Sequence, residues 1–266
     1  MATYLDRILA AHRDRAAADD RRLGPLIDAA HAQQPTRGFR AALLDHAARD
    51  ATAVIAEVKR RSPSKGALAA DLDPAALARA YAAGGAACLS VLTDVEFFGG
   101  SAADLVAART ASGRPVLRKD FTVDARDVCD ARIMGADCVL LIAAALDDAE
   151  LADFHQLARE IGLDVLIEIH DEAELERALQ VEPDLLGINQ RDLVTFEVDQ
   201  ARATRMAPLM PAGVVRVAES GIRGADDAVV LTAAGYHALL VGETLVKAGD
   251  PAAAVETLRG AARTHG

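Results

Sequence analysis

The chain has 266 residues, of which 52% are hydrophobic and 26% charged, and this balance excludes an intrinsically disordered protein. Its formal net charge of −11 disfavours nonspecific binding to nucleic acid or to an anionic membrane, so an anionic small substrate would need a local pocket of positive charge. No apolar run approaches the roughly 18 residues of a membrane span, and the first 15 residues carry Asp and Arg throughout. We therefore expect a cytoplasmic protein.

The first 50 residues show a helical pattern. Leu5, Ile8 and Leu9 recur at helical spacing with charged residues between them, and Gly24-Pro25 interrupts the pattern. Two further helices are predicted over residues 26–33 and 39–49. None of this region alternates as a strand does.

From residue 53 onward, short apolar runs alternate with Ala-rich amphipathic segments, several of which end in Gly. The units repeat about every 20 to 30 residues, as parallel βαβ units do. The predicted strands are 53–59, 87–93, 115–121, 138–144, 164–170, 185–190, 214–220 and 238–244. The predicted helices between them are 74–85, 101–113, 124–135, 147–162, 171–180 and 225–235.

Eight such units favour an α/β fold of the closed (β/α)8 type, a TIM barrel, with an additional N-terminal helical segment. The pattern alone does not exclude an open, doubly wound sheet, although no GxGxxG follows the first predicted strand. We predict one domain over residues 1–266, in which 1–50 form a lid or base and 53–266 form the barrel.

The cysteines and histidines give little sign of chemistry. Cys88, Cys129 and Cys138 follow no CxxC or metal-ligand spacing and are typical of small buried residues. The histidines show no HExxH pattern. Only His170, directly after a predicted strand, is a histidine of interest, and a loop position without function is its simpler interpretation.

Polar residues gather where the predicted strands end, and in a TIM barrel the active site lies at the carboxyl ends of the strands. A shared pocket would need this arrangement, whereas chance would scatter such residues along the chain. The residues concerned are Glu57, Lys59, Lys119, Glu168, Asn189, Arg191, Glu219, Ser220, Gly242 and Glu243.

Two of these strand ends carry charges suited to proton transfer. Burial or neighbouring cations could lower the pKa of Lys119 and make it a general acid, and the apolar neighbours Ile167 and Ile169 could raise the pKa of Glu168. The alternative is structural: Glu57–Lys59 or Lys119–Glu168 would be ion pairs between or along strands. Buried ion pairs rarely add much net stability, so several charged strand ends together favour a functional site.

The loops after the last two strands suit a phosphate group. Gly221 and Gly242 let the backbone approach phosphate oxygens, Ser220 adds a hydroxyl, and Arg191 or Lys59 could supply positive charge. Taken singly, each loop is also explained as an ordinary glycine turn. Their occurrence after adjacent strands favours a phosphate site.

Seven segments in chain order resemble the indole-3-glycerol phosphate synthase family, and residues 5–10 resemble the extra N-terminal helix of that family. The chain departs from the family pattern at Gln190, where Asn is frequent, and at Thr244, where Ser is frequent. The segments are 56–66, 89–101, 116–121, 168–179, 187–193, 218–222 and 241–245.

The resemblance implies closure of an indole ring on 1-(2-carboxyphenylamino)-1-deoxyribulose 5-phosphate with loss of carbon dioxide and water, without cofactor or metal. It implies a phosphorylated small-molecule substrate, and the net charge leads us to expect no nucleic-acid or membrane partner. We expect a monomer or weak homodimer.

The family's residue roles carry over to matching positions. Lys119 would be the general acid of ring closure, and Glu168 and Lys59 would share the proton transfers of dehydration, in an order that stays open. The remaining roles are orientation by Glu57 and Asn189, sugar hydroxyl binding by Glu219, a covering loop at 62–66 shaped by Ser62, and phosphate binding by Arg191 and the backbone of Ser220, Gly221, Gly242 and Glu243. Apolar walls for the aromatic ring are available in Phe97, Phe98, Leu140 and Leu240.

Three other functions remain open. A phosphoribosylanthranilate isomerase would need a Cys/Asp pair at strand ends, where no cysteine is predicted. A thiazole synthase would need a Schiff-base lysine, for which Lys119 could serve. A ligand-binding barrel would need only the phosphate site, and so many charged strand ends argue against it.

Overall fold

The computed structural model describes residues 3–62 and 66–261. Eight parallel strands close into a barrel in the order β1-β8-β7-β6-β5-β4-β3-β2, which confirms the predicted TIM barrel. The strands are β1 (Ala53–Val58), β2 (Cys88–Leu92), β3 (Val116–Lys119), β4 (Cys138–Ile142), β5 (Asp164–Ile169), β6 (Leu185–Asn189), β7 (Val215–Glu219) and β8 (Ala238–Val241). Both faces of these strands are buried, as expected of a parallel sheet covered by helices.

Helices surround the barrel and precede it. Most of them begin at a Ser, Thr or Asp whose side chain accepts a hydrogen bond from the first turn, such as Asp73, Ser101 and Asp147. The helices are α1 (Tyr4–Ala18), α2 (Leu23–His31), α3 (Phe39–Asp50), α4 (Pro74–Ala83), α5 (Ala102–Ser112), α6 (Ala125–Ile133), α7 (Asp148–Glu160), α8 (Glu172–Leu179), α9 (Arg202–Met206), α10 (Ala225–Ala233), α11 (Glu243–Val246) and α12 (Pro251–Gly260).

The N-terminal helices contact both ends of the barrel. Helix α1 lies at the carboxyl end, where Leu5 and Ile8 are buried and His12 Nε2 lies 3.0 Å from Asp94 Oδ2. The start of α3 lies at the amino end, where Arg40 N donates to Asp164 Oδ2 at 2.9 Å. Helix α1 therefore contacts the carboxyl end of the barrel and α3 its amino end.

Two boundaries differ from the prediction by three residues, the start of the second helix and the end of the last strand. Gly24-Pro25 lies inside the first turn of α2, where proline is tolerated because the N–H groups of a first turn make no hydrogen bond within the helix. The actual break falls between Ala18 and Leu23. The last predicted strand ends at Val241 because residues 243–246 turn into α11. None of the helices within residues 3–62 and 66–261 is long and apolar enough to span a bilayer.

Candidate functional site

A cavity of about 820 Å³ opens at the carboxyl end of the barrel. All the residues predicted for catalysis and for substrate or phosphate binding line it: Glu57, Lys59, Ser62, Lys119, Glu168, Asn189, Arg191, Glu219, Ser220, Gly221, Gly242 and Glu243. Of the predicted covering loop, Ser62 and Gly66 are described, and residues 63–65 lie outside the described residues. The barrel thus brings together side chains from β1, β3, β5, β6, β7 and β8.

Lys119 lies between two carboxylates. Its Nζ is 2.9 Å from Glu168 Oε2 and 3.6 Å from Glu219 Oε2, and its side chain is 16% exposed. Gly187 leaves room for this arrangement, since a Cβ there would lie 2.1 Å from Glu219 Oε1. One ammonium group at the cavity floor is therefore held by two acids.

The acid–base properties of Lys119 and Glu168 differ from the sequence prediction. Burial alone would lower the pKa of Lys119, but the carboxylates of Glu168, Glu219 and Glu57 outweigh burial and raise it. Burial alone would raise the pKa of Glu168, but Lys119, His170 and the amide of Asn189 lower it to about 2. The prediction was wrong for Glu168 because Ile167 and Ile169 point to the opposite face of β5.

Glu219 has the raised pKa that was predicted for Glu168. Burial and the neighbouring carboxylate of Glu168 raise the pKa of Glu219 to about 8. Within the described part of the chain, Glu219 Oε1 has no hydrogen-bond partner, although its exposure is 1%. Near neutral pH this side chain therefore holds a proton beside the Lys119–Glu168 pair.

A second lysine–glutamate pair lies on the other side of the cavity. Lys59 Nζ donates to Glu57 Oε1, and Ser90 Oγ donates to Glu57 Oε2 at 3.3 Å. The backbone of Gly242 approaches so closely that a Cβ there would lie 2.4 Å from Glu57 Oε1. Both ion pairs considered from the sequence thus exist, and both face the cavity.

Asn189 connects the acid–base group to the neighbouring loop. Its Nδ2 donates to Glu168 Oε1 at 2.9 Å, and its Oδ1 accepts from Arg191 N at 3.0 Å. The guanidinium of Arg191 donates to Phe196 O at 2.9 Å and lines the cavity. Asn189 therefore orients Glu168 from the side opposite Lys119.

The loops after β7 and β8 meet in one corner of the cavity. Ser220 and Gly221 both have left-handed φ, 65° and 72°, a conformation that is costly for Ser and favours Gly. Thr244 Oγ1 donates to Ile222 O at 2.6 Å and so ties the two loops together. The Thr at the family's usual Ser position keeps the hydroxyl.

Two glutamines hold the carbonyl oxygens of this corner. Gln190 Nε2 donates to Ser220 O at 2.8 Å, and Gln200 Nε2 donates to Gly221 O at 2.6 Å. The N–H groups of the following residues point the other way, because C=O and N–H are opposed in a trans peptide. Gln190, a departure from the family pattern, therefore supports the loop after β7.

Apolar side chains also line the cavity. Phe98, Leu140 and Leu240 are among them, whereas Phe97 packs edge-on against Tyr4 with ring centroids 6.0 Å apart. Sequence reasoning missed Ile8, Phe121, Ile142 and the hairpin residues Leu193, Phe196 and Val198. The apolar stripe of α1 was visible in the sequence, but its contact with the cavity was not.

A buried His–Asp cluster links α1 to the barrel mouth. Ligand atoms of His12, Asp94 and Asp120 lie within 4.8 Å of one another, a spacing that could hold a metal ion. Protein groups already bind both carboxylates: Asp94 accepts from Phe98 N at 3.1 Å, and Asp120 accepts from Arg118 NH2 at 3.2 Å. We therefore assign this cluster to holding α1 on the barrel.

The cysteines lie away from the carboxyl ends of the strands. Cys88 and Cys138 are the first residues of β2 and β4, Cys129 lies in α6, and all three are buried. This placement argues against the Cys/Asp chemistry of the isomerase alternative.

Comparison with solved structures supports the fold. A 3-hexulose-6-phosphate synthase from Salmonella typhimurium superimposes with a TM-score of 0.62 at 14% identity, covering 81% of this chain and 100% of the other. A thiamine phosphate pyrophosphorylase from Pyrococcus furiosus gives a TM-score of 0.59 at 16% identity, covering 81% and 96%. At these identities the likeness concerns the barrel alone.

Sequence comparison identifies the family. The model of the indole-3-glycerol phosphate synthase family matches residues 5–258. An indole-3-glycerol phosphate synthase of Laribacter hongkongensis is 48% identical, covering 97% of this chain and 99% of that protein. One from a Nocardioides species is 52% identical, covering 88% and 87%. The chain belongs to the indole-3-glycerol phosphate synthase family.

Proposed function

We propose that this protein converts 1-(2-carboxyphenylamino)-1-deoxyribulose 5-phosphate into indole-3-glycerol phosphate, the ring closure of tryptophan biosynthesis, as a carboxy-lyase. The observation that carries the proposal is the position of Lys119, held by Glu168 and Glu219 in a cavity that is lined by apolar side chains and by the glycine loops after β7 and β8. Family membership supports the same reaction.

In ring closure, Lys119 acts as the general acid. Attack of the ring carbon on the substrate carbonyl develops negative charge on oxygen, which an ammonium group neutralises as it transfers its proton. The raised pKa of Lys119 keeps it protonated at neutral pH. The contacts with Glu168 and Glu219 fix its direction, so that little reorganisation accompanies the transfer.

Dehydration requires one group to protonate the leaving hydroxyl and another to remove a proton. Glu168 and Lys59 are the two candidates, from β5 and from the end of β1, and both line the cavity. Asn189 orients Glu168, and Glu57 orients Lys59. Glu219, which holds a proton near neutral pH, binds the sugar hydroxyls.

The phosphate group binds where the loops after β7 and β8 meet. Backbone N–H groups of Ser220, Gly221, Gly242 and Glu243 surround it, and Arg191 adds positive charge. The glutamine contacts to Ser220 O and Gly221 O favour this use, because they hold the carbonyl oxygens away from an incoming anion. Ser62, which lines the cavity, contacts the anthranilate ring.

The remaining properties follow the sequence expectations. We propose a cytoplasmic enzyme that uses neither cofactor nor metal, and a monomer or weak homodimer.

The test is the fluorescence of the indole product, which is clear in this chain because it has no Trp. Wild type should form product, and Lys119→Met should lower kcat by about 10²- to 10⁴-fold because the general acid is lost. Arg22→Met, which removes an exposed cation before α2, is the control and should retain wild-type activity.

Two results would contradict the proposal. Substrate binding without product in wild type would leave only a phosphate-binding barrel. Covalent trapping of substrate on Lys119 by borohydride would point to Schiff-base chemistry of the thiazole synthase type. Full activity of Lys119→Met would refute the choice of general acid and leave the reaction standing.

A further inference from the structure

His170 lies directly behind the acid–base group, outside the cavity lining. It follows Glu168 by two residues at the carboxyl end of β5, so both side chains leave the strand on the same side. His170 Nε2 is 3.7 Å from Glu168 Oε1, and His170 Nδ1 is 3.0 Å from Glu174 Oε2 on α8. The imidazole is thus placed between two carboxylates, and its side chain is 11% exposed.

The second carboxylate is fixed in place. Glu174 Oε2 also accepts the backbone N–H of His170 at 2.9 Å, and Glu174 N donates to Asp171 Oδ1 at 2.9 Å in the cap of α8. A carboxylate accepts only, so His170 Nδ1 must carry a proton. The strand end and the helix start together set the ring's position.

The other ring nitrogen faces a negative charge. Within the described residues, Nε2 is buried without a hydrogen-bond partner, and the nearest charged oxygen is Glu168 Oε1. A neutral imidazole would direct a lone pair at that carboxylate, whereas an imidazolium directs an N–H at it. The geometry therefore favours the charged form of His170.

We propose that His170 is a positioning residue for Glu168. Together with Glu174 it forms a relay that places positive charge behind Glu168. This charge holds Glu168 Oε1 beside Asn189, so that Glu168 Oε2 stays in contact with Lys119. The structural part of this proposal stands on the contacts alone. Its catalytic consequence rests on the proposed function, in which Glu168 takes part in proton transfer.

The groups around His170 change its pKa, and with it the pH at which the imidazole loses its charge. Burial lowers the pKa of His170, and so does the charge of Arg202 on α9. The hydrogen bond to Glu174 and the negative charges of Glu168 and Glu174 raise this pKa, and the net shift is upward. His170 therefore keeps its charge to a higher pH than an ordinary histidine does, and it loses this charge as pH rises through the raised pKa. Support for Glu168 is lost over the same range.

The direct test is a nitrogen-15 NMR titration of the imidazole in the full-length protein, which needs no substrate. We expect His170 to titrate above the ordinary histidine value in wild type. Glu168→Gln and Glu174→Gln should each lower the pKa of His170 by about 1 unit, since each removes one adjacent negative charge. An unchanged titration of His170 in Glu168→Gln would overturn the relay.

The second test separates kcat from KM. His170→Asn should lower kcat about tenfold, as expected for coupled neighbours, and leave KM within about twofold, because His170 does not line the cavity. The wild-type kcat should fall as His170 loses its proton, and this step should disappear in His170→Asn. His31→Asn, at an exposed histidine of α2, is the control.

The outcomes are distinguishable. A raised KM with unchanged kcat in His170→Asn, or retention of the pH step, would overturn the positioning role. If wild type makes no indole product, the proposed function fails, and the NMR titration still decides whether the relay exists.

Discussion

Buried carboxylates occur at both ends of this barrel, and they are bound in different ways. At the amino end, Asp137 is completely buried, and its oxygens accept backbone N–H groups from Arg37 and Val116, each at 2.8 Å. Its hydrogen-bond donors thus belong to the main chain, and the side chain of Arg109 adds an ion pair, with Nε 3.7 Å from Asp137 Oδ2. Asp164 accepts the N–H of Arg40 at the start of α3 in the same way.

At the carboxyl end, the carboxylates are bound mainly by side chains. Glu57, Glu168 and Glu219 contact the ammonium groups of Lys59 and Lys119, and Glu219 keeps one oxygen without a hydrogen bond among the described residues. Side-chain partners can exchange a neighbour for substrate, and protons can pass between them. The same residue type therefore stabilises the fold at one end and remains available for chemistry at the other.

The largest effect is expected for Gly242→Ala at the carboxyl end, which should lower activity and leave stability nearly unchanged. A Cβ at this position would lie 2.4 Å from Glu57 Oε1 and 3.0 Å from Lys59 Nζ. The side chains of Glu57 and Lys59 must therefore move, whereas the backbone can keep its position. We expect kcat/KM to fall about 100-fold, as for a misplacement of about 1 Å, with thermal stability little changed. Gly249→Ala, where a Cβ meets nothing within 4 Å, is the control for the fluorescence assay. Equal activity of the two variants would contradict the role of the Glu57–Lys59 pair.

The opposite result is expected from Asp137→Asn at the amino end. One of the two backbone N–H groups would then face an amide NH2 and lose its acceptor, so the free energy of unfolding should fall by about 1–3 kcal/mol. The kcat should stay within about twofold of wild type, because Asp137 lies at the other end of the barrel. Urea unfolding and the product assay measure the two quantities, and Asp28→Asn at an exposed site provides the comparison. A large loss of kcat without loss of stability would show that the two ends are not separate in function.

The last effect is limited to one range of pH and concerns the dependence of stability on the charge of Glu219. Its pKa is raised to about 8 in the folded state, so the stability it contributes is full at low pH and is lost as pH rises from the ordinary glutamate value of about 4.3 through 8. Glu219→Gln cannot ionise and should exceed wild type in unfolding free energy above pH 8 by on the order of 1–3 kcal/mol, with little difference near pH 4.

Unfolding at pH 5 and pH 9 checks this prediction, with Glu256→Gln on the exposed side of α12 as the control. A difference between Glu219→Gln and wild type that stays constant over this range would show that Glu219 does not change its charge there.

Much of the fold was predictable because the barrel repeats one local pattern. Each strand is a short apolar run, and most of the following helices start at a capping residue or end near a glycine, so β5 and α7 were predicted within two residues of their observed bounds. The residues that line the candidate site were predictable for the same reason, because a polar residue at the carboxyl end of a strand must lie at the mouth of the barrel. The predicted residue Phe97 lies elsewhere because it is in a loop, where no periodicity fixes the direction of a side chain.

The sequence by itself determined the barrel, the end at which polar residues gather and the family to which the chain belongs, because these depend on residue type and spacing along the chain. The tertiary structure alone decided the charges. Which of Glu168 and Glu219 holds the extra proton depends on which of them lies nearer to Lys119 and His170, and the nearer of the two is Glu168. Lys119 is distant in sequence from both glutamates, whereas His170 follows Glu168 by two residues. Electrostatic energies follow distances through space and burial, and only the folded chain fixes those.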